Sequence, residues 1–283
     1  MRNLSFSRIL VPVDFSPRSN QAVQYAKRMA AHFQSELILL HVVEPVKLDY
    51  AMVEPIHGSV DDLADDRRTG AKSMLGKFAA ADLPGVSIRT LIAEGDAADQ
   101  IVSCSKAEGV NLLVMPTQGR SRLRQFLIGS VTAKVLHDSE TPVLTGCHLE
   151  ENDDFPDFQA KNILCAVDLG PQSETVLQWG ARLAEEFASS VTVMNVVENS
   201  SDPGEEQREC VELRLQKMAD ATGLKAKFVI EYGDPQKAVA ATAIHSNADL
   251  LVIGRGAASS QIGRLRAQAY GIVRLSPCPV LSV

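Results

Sequence analysis

The chain of 283 residues is long enough for two ordinary domains, and 45% of its residues are apolar, which is typical of a protein that buries a sizeable core. Its net charge of -7 argues against nucleic acid as a partner, and the absence of a leader-like or membrane-spanning apolar stretch leads us to expect a cytoplasmic protein that contacts no membrane. The five cysteines stand singly, without the CxxC spacing of a zinc or redox site, as expected in a reducing compartment.

The sequence of the first half recurs in the second half. The segment ILVPVDFS, which ends at Ser16, is echoed by ILCAVDLG, which ends at Gly170, at an offset of 154 residues (170 minus 16). The offset falls to 138 at Gly95, which matches Gly233 (233 minus 95). The first half therefore carries 16 additional residues (154 minus 138) between its second and third predicted strands, which we interpret as a loop or an extended helix.

Six positions at helical spacing form one apolar face in both copies. They are Ala22, Tyr25, Ala26, Met29, Ala30 and Phe33 in the first half, and Val176, Trp179, Gly180, Leu183, Ala184 and Phe187 in the second half. Ser16 followed by Pro17 predicts the capped start of this helix.

Strand and helix patterns alternate along each half. In the first half the predicted strands cover residues 8–13, 37–43, 87–93, 111–115 and 142–145, and the predicted helices cover residues 17–34, 60–81, 97–108 and 130–138. The strands are rich in Ile, Leu and Val with little alternation, as expected of parallel strands covered on both faces. We predict an α/β fold of two tandem five-stranded doubly wound parallel sheets, Rossmann-like and related by a pseudo-twofold axis.

Two acidic stretches interrupt this pattern. Residues 148–160 contain five carboxylates and a proline, and we predict a linker there between a first domain at 1–147 and a second domain at 161–283. The aspartates within residues 61–66 are interpreted as the exposed start of a helix, where carboxylates suit the positive end of the dipole, in preference to a metal site.

A glycine-containing loop follows the fourth predicted strand. The apolar run at residues 112–115 ends in a turn with Pro116 and Gly119, and after nine intervening residues Gly129 and Ser130 begin a helix. A strand end that faces a helix N-terminus is a phosphate-binding geometry, although an ordinary turn and helix start explain the same residues. The candidate phosphate ligands are the amides of Gly119, Ser130 and Val131, the Ser130 hydroxyl and the Arg120 guanidinium.

Asp14 follows the first strand and is repeated as Asp168. Ligands of doubly wound sheets bind at the carboxyl ends of the strands, where Asp14 should meet Val42 and Val43 from the second strand. Two interpretations of Asp14 are open: a ligand for a ribose hydroxyl or an adenine amino group, or a cap for the following helix together with Ser16.

Several segments in order resemble the universal stress protein family: VDFS, HVVE, the GD before the third helix, the loop ending in GS, and the final PVL strand. The resemblance covers nearly the whole chain outside the linker and implies a tandem member of that family. It implies strand order 3-2-1-4-5 and pairing through the last strand. It also implies binding of ATP or the related ADP or AMP, with which Mg²⁺ can be associated, and a regulatory stress-response role without defined catalysis. The adenosine is then expected near Pro12, Val13, Asp14, Val42 and Met115, and the phosphates near Thr117, Gly119, Arg120, Gly129, Ser130 and Val131.

The chain departs from the family pattern in both halves. Pro116 occupies the position of the first motif glycine, where proline removes an amide and fixes φ near -65°. In the second half the offset is 137 residues from here on, as for Pro142 and Pro279 (279 minus 142), and Arg266 and Ala267 stand where the first half has Gly129 and Ser130. We therefore predict that the first half binds nucleotide and that the second half is mainly a built-in pairing partner.

The two terminal strand segments, residues 141–146 and 278–283, are short and predicted to lie at sheet edges, which invite pairing. Pairing between them within one chain would place the halves about a pseudo-twofold axis, and a further pairing between chains would give a homodimer. Besides a nucleotide-binding regulator, two functions stay open: a scaffold that has lost nucleotide, favoured by Pro116, and a slow ATPase, for which Asp14 alone is a weak candidate.

Overall fold

A computed structural model describes residues 4–45, 60–79, 86–117, 128–146, 159–198, 204–255 and 263–283, excluding the side chains of 60–64 and 263–267. In the first half, the elements are β1 (Arg8–Pro12), α1 (Pro17–Phe33), β2 (Glu36–Val43), α2 (Val60–Ala79), β3 (Ser87–Glu94), α3 (Ala97–Ala107), β4 (Leu112–Val114), α4 (Ser130–Asp138) and β5 (Val143–Thr145). In the second half, they are β6 (Asn162–Ala166), α5 (Ser173–Phe187), β7 (Ser190–Val197), α6 (Gly204–Thr222), β8 (Lys227–Tyr232), α7 (Pro235–His245), β9 (Leu250–Ile253), α8 (Gly263–Leu275) and β10 (Val280–Ser282). The alternating strand and helix pattern, and with it the α/β fold class, is confirmed.

One ten-stranded sheet contains both halves, in the order β3-β2-β1-β4-β5-β10-β9-β6-β7-β8. Each half has the 3-2-1-4-5 order, and its strands run parallel, as in β1 with β2 and β6 with β7. The halves meet where β5 and β10 pair antiparallel, with Leu144 opposite Leu281. These terminal strands therefore lie in the middle of the sheet and not at an edge, and the edges of the described sheet are β3 and β8.

Helix α1 shows how the repeated apolar face builds the core. The Ser16 hydroxyl accepts the Ser19 amide, and Pro17 stands at the first helical position, as predicted. Ala26 and Ala30 are fully buried against the sheet. The copy of this face on α5 is buried in the same way at Val176 and Leu183, although Phe187 is only partly covered.

Aromatic side chains of Phe6, before β1, and of the end of α1 contact α5 of the second half. Phe6 stacks on Trp179 with ring centroids 5.8 Å apart, and Phe33 meets Phe187 edge-on at 5.8 Å. His32 lies 2.9 Å from the Glu186 carboxylate. Residues 33 and 187 differ by the repeat offset of 154, so the two copies of one surface face each other, as in an isologous interface.

The additional length of the first half does not lie in α2, which has 20 residues, whereas its counterpart α6 has 19. Most of it belongs to the connection between β2 and α2, of which residues 46–59 lie outside the described part of the chain. The acidic stretch at 61–66 lies in the first two turns of α2, as predicted for a helix start. Within the described residues, no helix has the length and apolar character needed to span a membrane.

Most of the predicted linker, residues 148–158, lies outside the described residues. Ala160, at its end, is 1% exposed and packs in the core beside Ile163. The Ala160 carbonyl also accepts a hydrogen bond from the Ser189 hydroxyl. The chain has therefore already entered the packed second half at this residue.

We expect Gly180→Ala to destabilise the protein. A Cβ at Gly180 would lie 2.6 Å from the Cys165 sulfur, so the helix would have to move away from the sheet. Overpacking of this kind costs about 1–3 kcal/mol, more than the ~1 kcal/mol that alanine gains over glycine within a helix. Urea unfolding measures the loss, and Cys165→Ala in the same chain should restore most of it; a single variant as stable as the parent would contradict this packing.

Candidate functional site

A cleft of about 810 Å³ opens at the carboxyl ends of β1, β2 and β4. Its volume falls within the range of about 300–1,000 Å³ that is usual for small-molecule sites. Its walls include α2, α3 and the start of α4, which come from widely separated parts of the chain. This is the edge of the sheet at which doubly wound folds bind ligands.

Eight of the eleven predicted site residues line this one cleft. They are Pro12, Val13, Asp14, Val42, Met115, Gly129, Ser130 and Val131. Thr117 follows β4, and its carbonyl accepts the Gly129 amide at 2.8 Å, which ties the two ends of the loop together. Gly119 and Arg120 lie outside the described residues.

The Asp14 carboxylate has a local structural role. Its Oδ1 accepts the Ser16 amide at 3.0 Å, across Phe15, whose φ of 61° lies in the left-handed region. Asp168 accepts the Gly170 amide at 2.8 Å in the second half, across Leu169 with φ 59°. An Asx-type turn therefore holds a residue with a left-handed backbone in both copies, and Asp14 also lies in the wall of the cleft.

His41 is a site residue that the sequence analysis missed. Its Nδ1 donates to the Val13 carbonyl at 2.6 Å, which fixes the backbone at the end of β1. Asn195, 154 residues later, donates to the Val167 carbonyl at 2.8 Å. A polar residue that recurs at the repeat offset inside an apolar strand was the available signal.

Helix α4 presents an N-terminus without a side-chain cap to the cleft. Its N-cap, Gly129, has no side chain to accept an amide, whereas Ser16, Asp96 and Asp234 cap α1, α3 and α7. The first amides of a helix have no partner within the helix and carry the positive end of its dipole. Gly129 has φ -62° and ψ 147°, a conformation open to any residue, so the glycine matters here for space and not for backbone freedom.

Pro116 is hydrogen-bonded to the first turn of α4. Its carbonyl accepts the hydroxyl of Thr132 at 3.0 Å, and Thr132 is 3% exposed. This buried bond holds the strand end after β4 against the first turn of α4. Thr132 was also missed from the sequence, because its partner is a backbone carbonyl 16 residues away.

Charged side chains link α3 and α4 beside the cleft. The Lys134 ammonium lies 3.1 Å from the Asp96 carboxylate and 2.8 Å from that of Asp99. The Asp99 backbone amide, followed by Lys134, lowers the pKa of Asp96, and the two carboxylates raise the pKa of Lys134. Within the described part of the chain, no group of three or more His, Cys, Asp or Glu side chains is placed to hold a metal ion.

The second half contains a much smaller cavity of about 150 Å³ at the corresponding strand ends. Helix α8 has 13 residues, whereas α4 has 9, and both end at the same repeat position, Leu275 and Asp138. The additional turn therefore lies at the N-terminus, and the residues equivalent to Ser130 and Val131 are inside the helix. Their amides bond to carbonyls four residues earlier and are not available to a ligand.

A polar bridge also crosses the second cavity. The Gln268 amide donates to the Glu198 carboxylate, and both residues line the cavity. Gln268 is the repeat equivalent of Val131, whose side chain cannot make this bond. Arg266 lies within α8, and its side chain is outside the described atoms.

The chain is a tandem repeat of a doubly wound α/β domain. Each copy has a cavity at the carboxyl ends of its strands. The sequence profile of the universal stress protein family matches residues 5–145 and again residues 159–283. The chain therefore belongs to the universal stress protein family and contains two copies of its domain.

Individual relatives agree with this assignment. Universal stress protein YxiE of Bacillus subtilis is 32% identical over 145 residues, which cover 49% of this chain and 97% of that protein. Universal stress protein MJ0577 of Methanocaldococcus jannaschii is 27% identical over 155 residues, which cover 50% of this chain and 95% of that protein. The crystal structure of a universal stress protein from Archaeoglobus fulgidus has a TM-score of 0.68 and 23% identity, and covers 97% of this chain and 95% of that one, which supports the tandem fold.

Proposed function

We propose that the first half binds an adenine nucleotide, ATP or a related ADP or AMP, and that the protein is a regulatory or signalling module of the stress response. The observation that carries this proposal is the uncapped N-terminus of α4 in the same cleft as Asp14. Backbone amides at a helix start favour phosphate, and a carboxylate at a strand end suits a ribose.

The lining of the cleft suggests which residues contact the base, the ribose and the phosphates of the nucleotide. Apolar atoms of Val13, Val42 and Met115 form a surface for the base, and Asp14 is placed for the ribose. The amides of Ser130 and Val131 and the Ser130 hydroxyl are then the donors for the phosphates, with Mg²⁺ as an accompanying ion. Thr117, Gly119 and Arg120 complete the proposed set from the loop.

The second half is, in this proposal, the partner that the first half packs against. Its additional helical turn and its cavity of about 150 Å³ support the assignment of one nucleotide to each chain. We propose domains at 1–147 and 161–283 with a linker at 148–160. Since β5 and β10 each have neighbours on both sides, a homodimer would use another surface.

Nucleotide binding without a defined reaction is consistent with the hydrogen bonds of Asp14 and His41, two acid-base side chains in the cleft. Asp14 Oδ1 accepts the Ser16 amide, and His41 Nδ1 donates to the Val13 carbonyl, so one polar atom of each side chain is engaged in local structure. We propose at most slow ATP hydrolysis. The alternative of a scaffold without nucleotide rests on Pro116, which has no amide to offer a phosphate.

The proposal is tested by what the purified protein releases. Heat denaturation followed by anion-exchange chromatography of the supernatant is expected to yield ATP, ADP or AMP in at most one equivalent per chain. Protein that releases no nucleotide is then titrated with Mg-ATP by calorimetry. A chain that neither releases nor takes up an adenine nucleotide would favour the scaffold.

A further inference from the structure

Helix α4 is held along its length by side chains of the second half. The Arg255 guanidinium donates to the carbonyls of Ser139 at 2.6 Å and Thr141 at 3.2 Å, just beyond the end of the helix. The Tyr270 hydroxyl donates to the Ala133 carbonyl at 3.0 Å, in the first turns. Ile128, immediately before the N-cap, packs against the apolar core of the second half.

The first half does not carry these two side chains at the equivalent positions. The repeat equivalent of Arg255 is Thr117, at the offset of 138 that relates Leu112 of β4 to Leu250 of β9, and that of Tyr270 is Ala133, at the offset of 137. Neither residue has a guanidinium or a phenol to extend to the other half. Burial lowers the pKa of Arg255 to about 10, so the side chain is still charged at neutral pH. A partly buried cation beside the last carbonyls of a helix is also favourable to the helix dipole.

We propose that Arg255 and Tyr270 are positioning residues for the phosphate end of the first-half cleft, an inference that rests on the proposed nucleotide binding. A helix of nine residues has little stability of its own and depends on tertiary contacts for its position. Its N-terminal amides meet the phosphates, whereas the base and ribose lie against β1, β2 and β4. Loosening α4 should therefore weaken contacts to phosphate and leave contacts to the nucleoside unchanged.

The test compares ATP with adenosine in the full-length chain. Tyr270→Phe removes only the hydroxyl, and Arg255→Lys keeps the charge but loses the two-pronged donor. Calorimetry should show ATP binding weaker by about 3- to 10-fold for each variant, the range expected for one lost hydrogen bond, with adenosine binding unchanged within about 2-fold. Amide exchange of α4 in the ligand-free protein should accelerate by about the same factor.

His32→Ala is the matched control, because it removes a contact between the halves that does not touch α4. It should change neither the ratio of ATP to adenosine affinity nor exchange in α4. Equal losses for ATP and adenosine, or unchanged ATP affinity in both variants, would overturn the inference. If the unmodified chain binds no ATP, the proposed function fails, and α4 exchange decides the anchoring: unchanged rates in both variants overturn it, and faster rates support it.

Discussion

Gly129→Arg is expected to abolish adenine-nucleotide binding, with ATP affinity reduced by at least ~100-fold, or ~2.7 kcal/mol. The variant gives the first half the residue that the second half carries at the equivalent position, Arg266. A long side chain at the N-cap of α4 would fill the space in front of the Ser130 and Val131 amides. The fold should survive, because the backbone of Gly129 is one that arginine adopts without strain.

Gly129→Ala distinguishes the effect of a large side chain from the effect of losing the glycine itself at the same position. It adds one methyl group, and alanine is a poorer N-cap than glycine by roughly 1 kcal/mol or less, so ATP binding should weaken by less than ~10-fold. Calorimetry gives both affinities, and circular dichroism checks that both variants are folded. Nucleotide binding by Gly129→Arg at the level of the unmodified chain would contradict the placement of the phosphates.

Leu281→Ala is expected to lower the free energy of unfolding by about 2–5 kcal/mol, the usual cost of removing a buried leucine side chain. Leu281 is 2% exposed and lies opposite Leu144 in the antiparallel junction between the halves. A cavity there weakens the packing of both halves at once, because both leucines belong to the core cluster that extends through both halves. Urea unfolding followed by fluorescence of Trp179 measures the change.

Ser282→Ala is the control in the same strand. Ser282 is 1% exposed, and its hydroxyl has no hydrogen-bond partner among the described residues. Removal of a buried hydroxyl without a partner should leave stability within about 1 kcal/mol of the parent or raise it. A Leu281→Ala variant as stable as Ser282→Ala would show that the junction contributes little.

The fold was predictable because the same pattern of strands and helices occurs in both halves of the sequence. The apolar face of α1 recurs on α5 at a constant offset, and the Ser16–Pro17 start was visible directly. Strand ends were predicted within one or two residues, since the buried runs are short and bounded by polar residues or turns. The same repeat placed Asp14, Val42 and the start of α4 at one edge of the sheet.

Features that depend on distant partners were not predictable in this way. The contribution of α2 to the cleft, and the bonds of His41 and Thr132 to backbone carbonyls, require the packed chain. The additional turn of α8 was missed because Gly263 is a poor helix former, and the position of the helix start depends on its packing. Arg255 carried no motif, since its partners are carbonyls 116 and 114 residues away.

The central claim is that one copy of the repeated cleft accepts a nucleotide and the other does not. A crystal structure of the full chain grown with excess Mg-ATP tests it most directly. We predict nucleotide density in the cleft beside Asp14, with phosphates at the start of α4 and none beside Asp168. Density beside Asp168 with the first cleft empty, or nucleotides in both halves, would contradict the account.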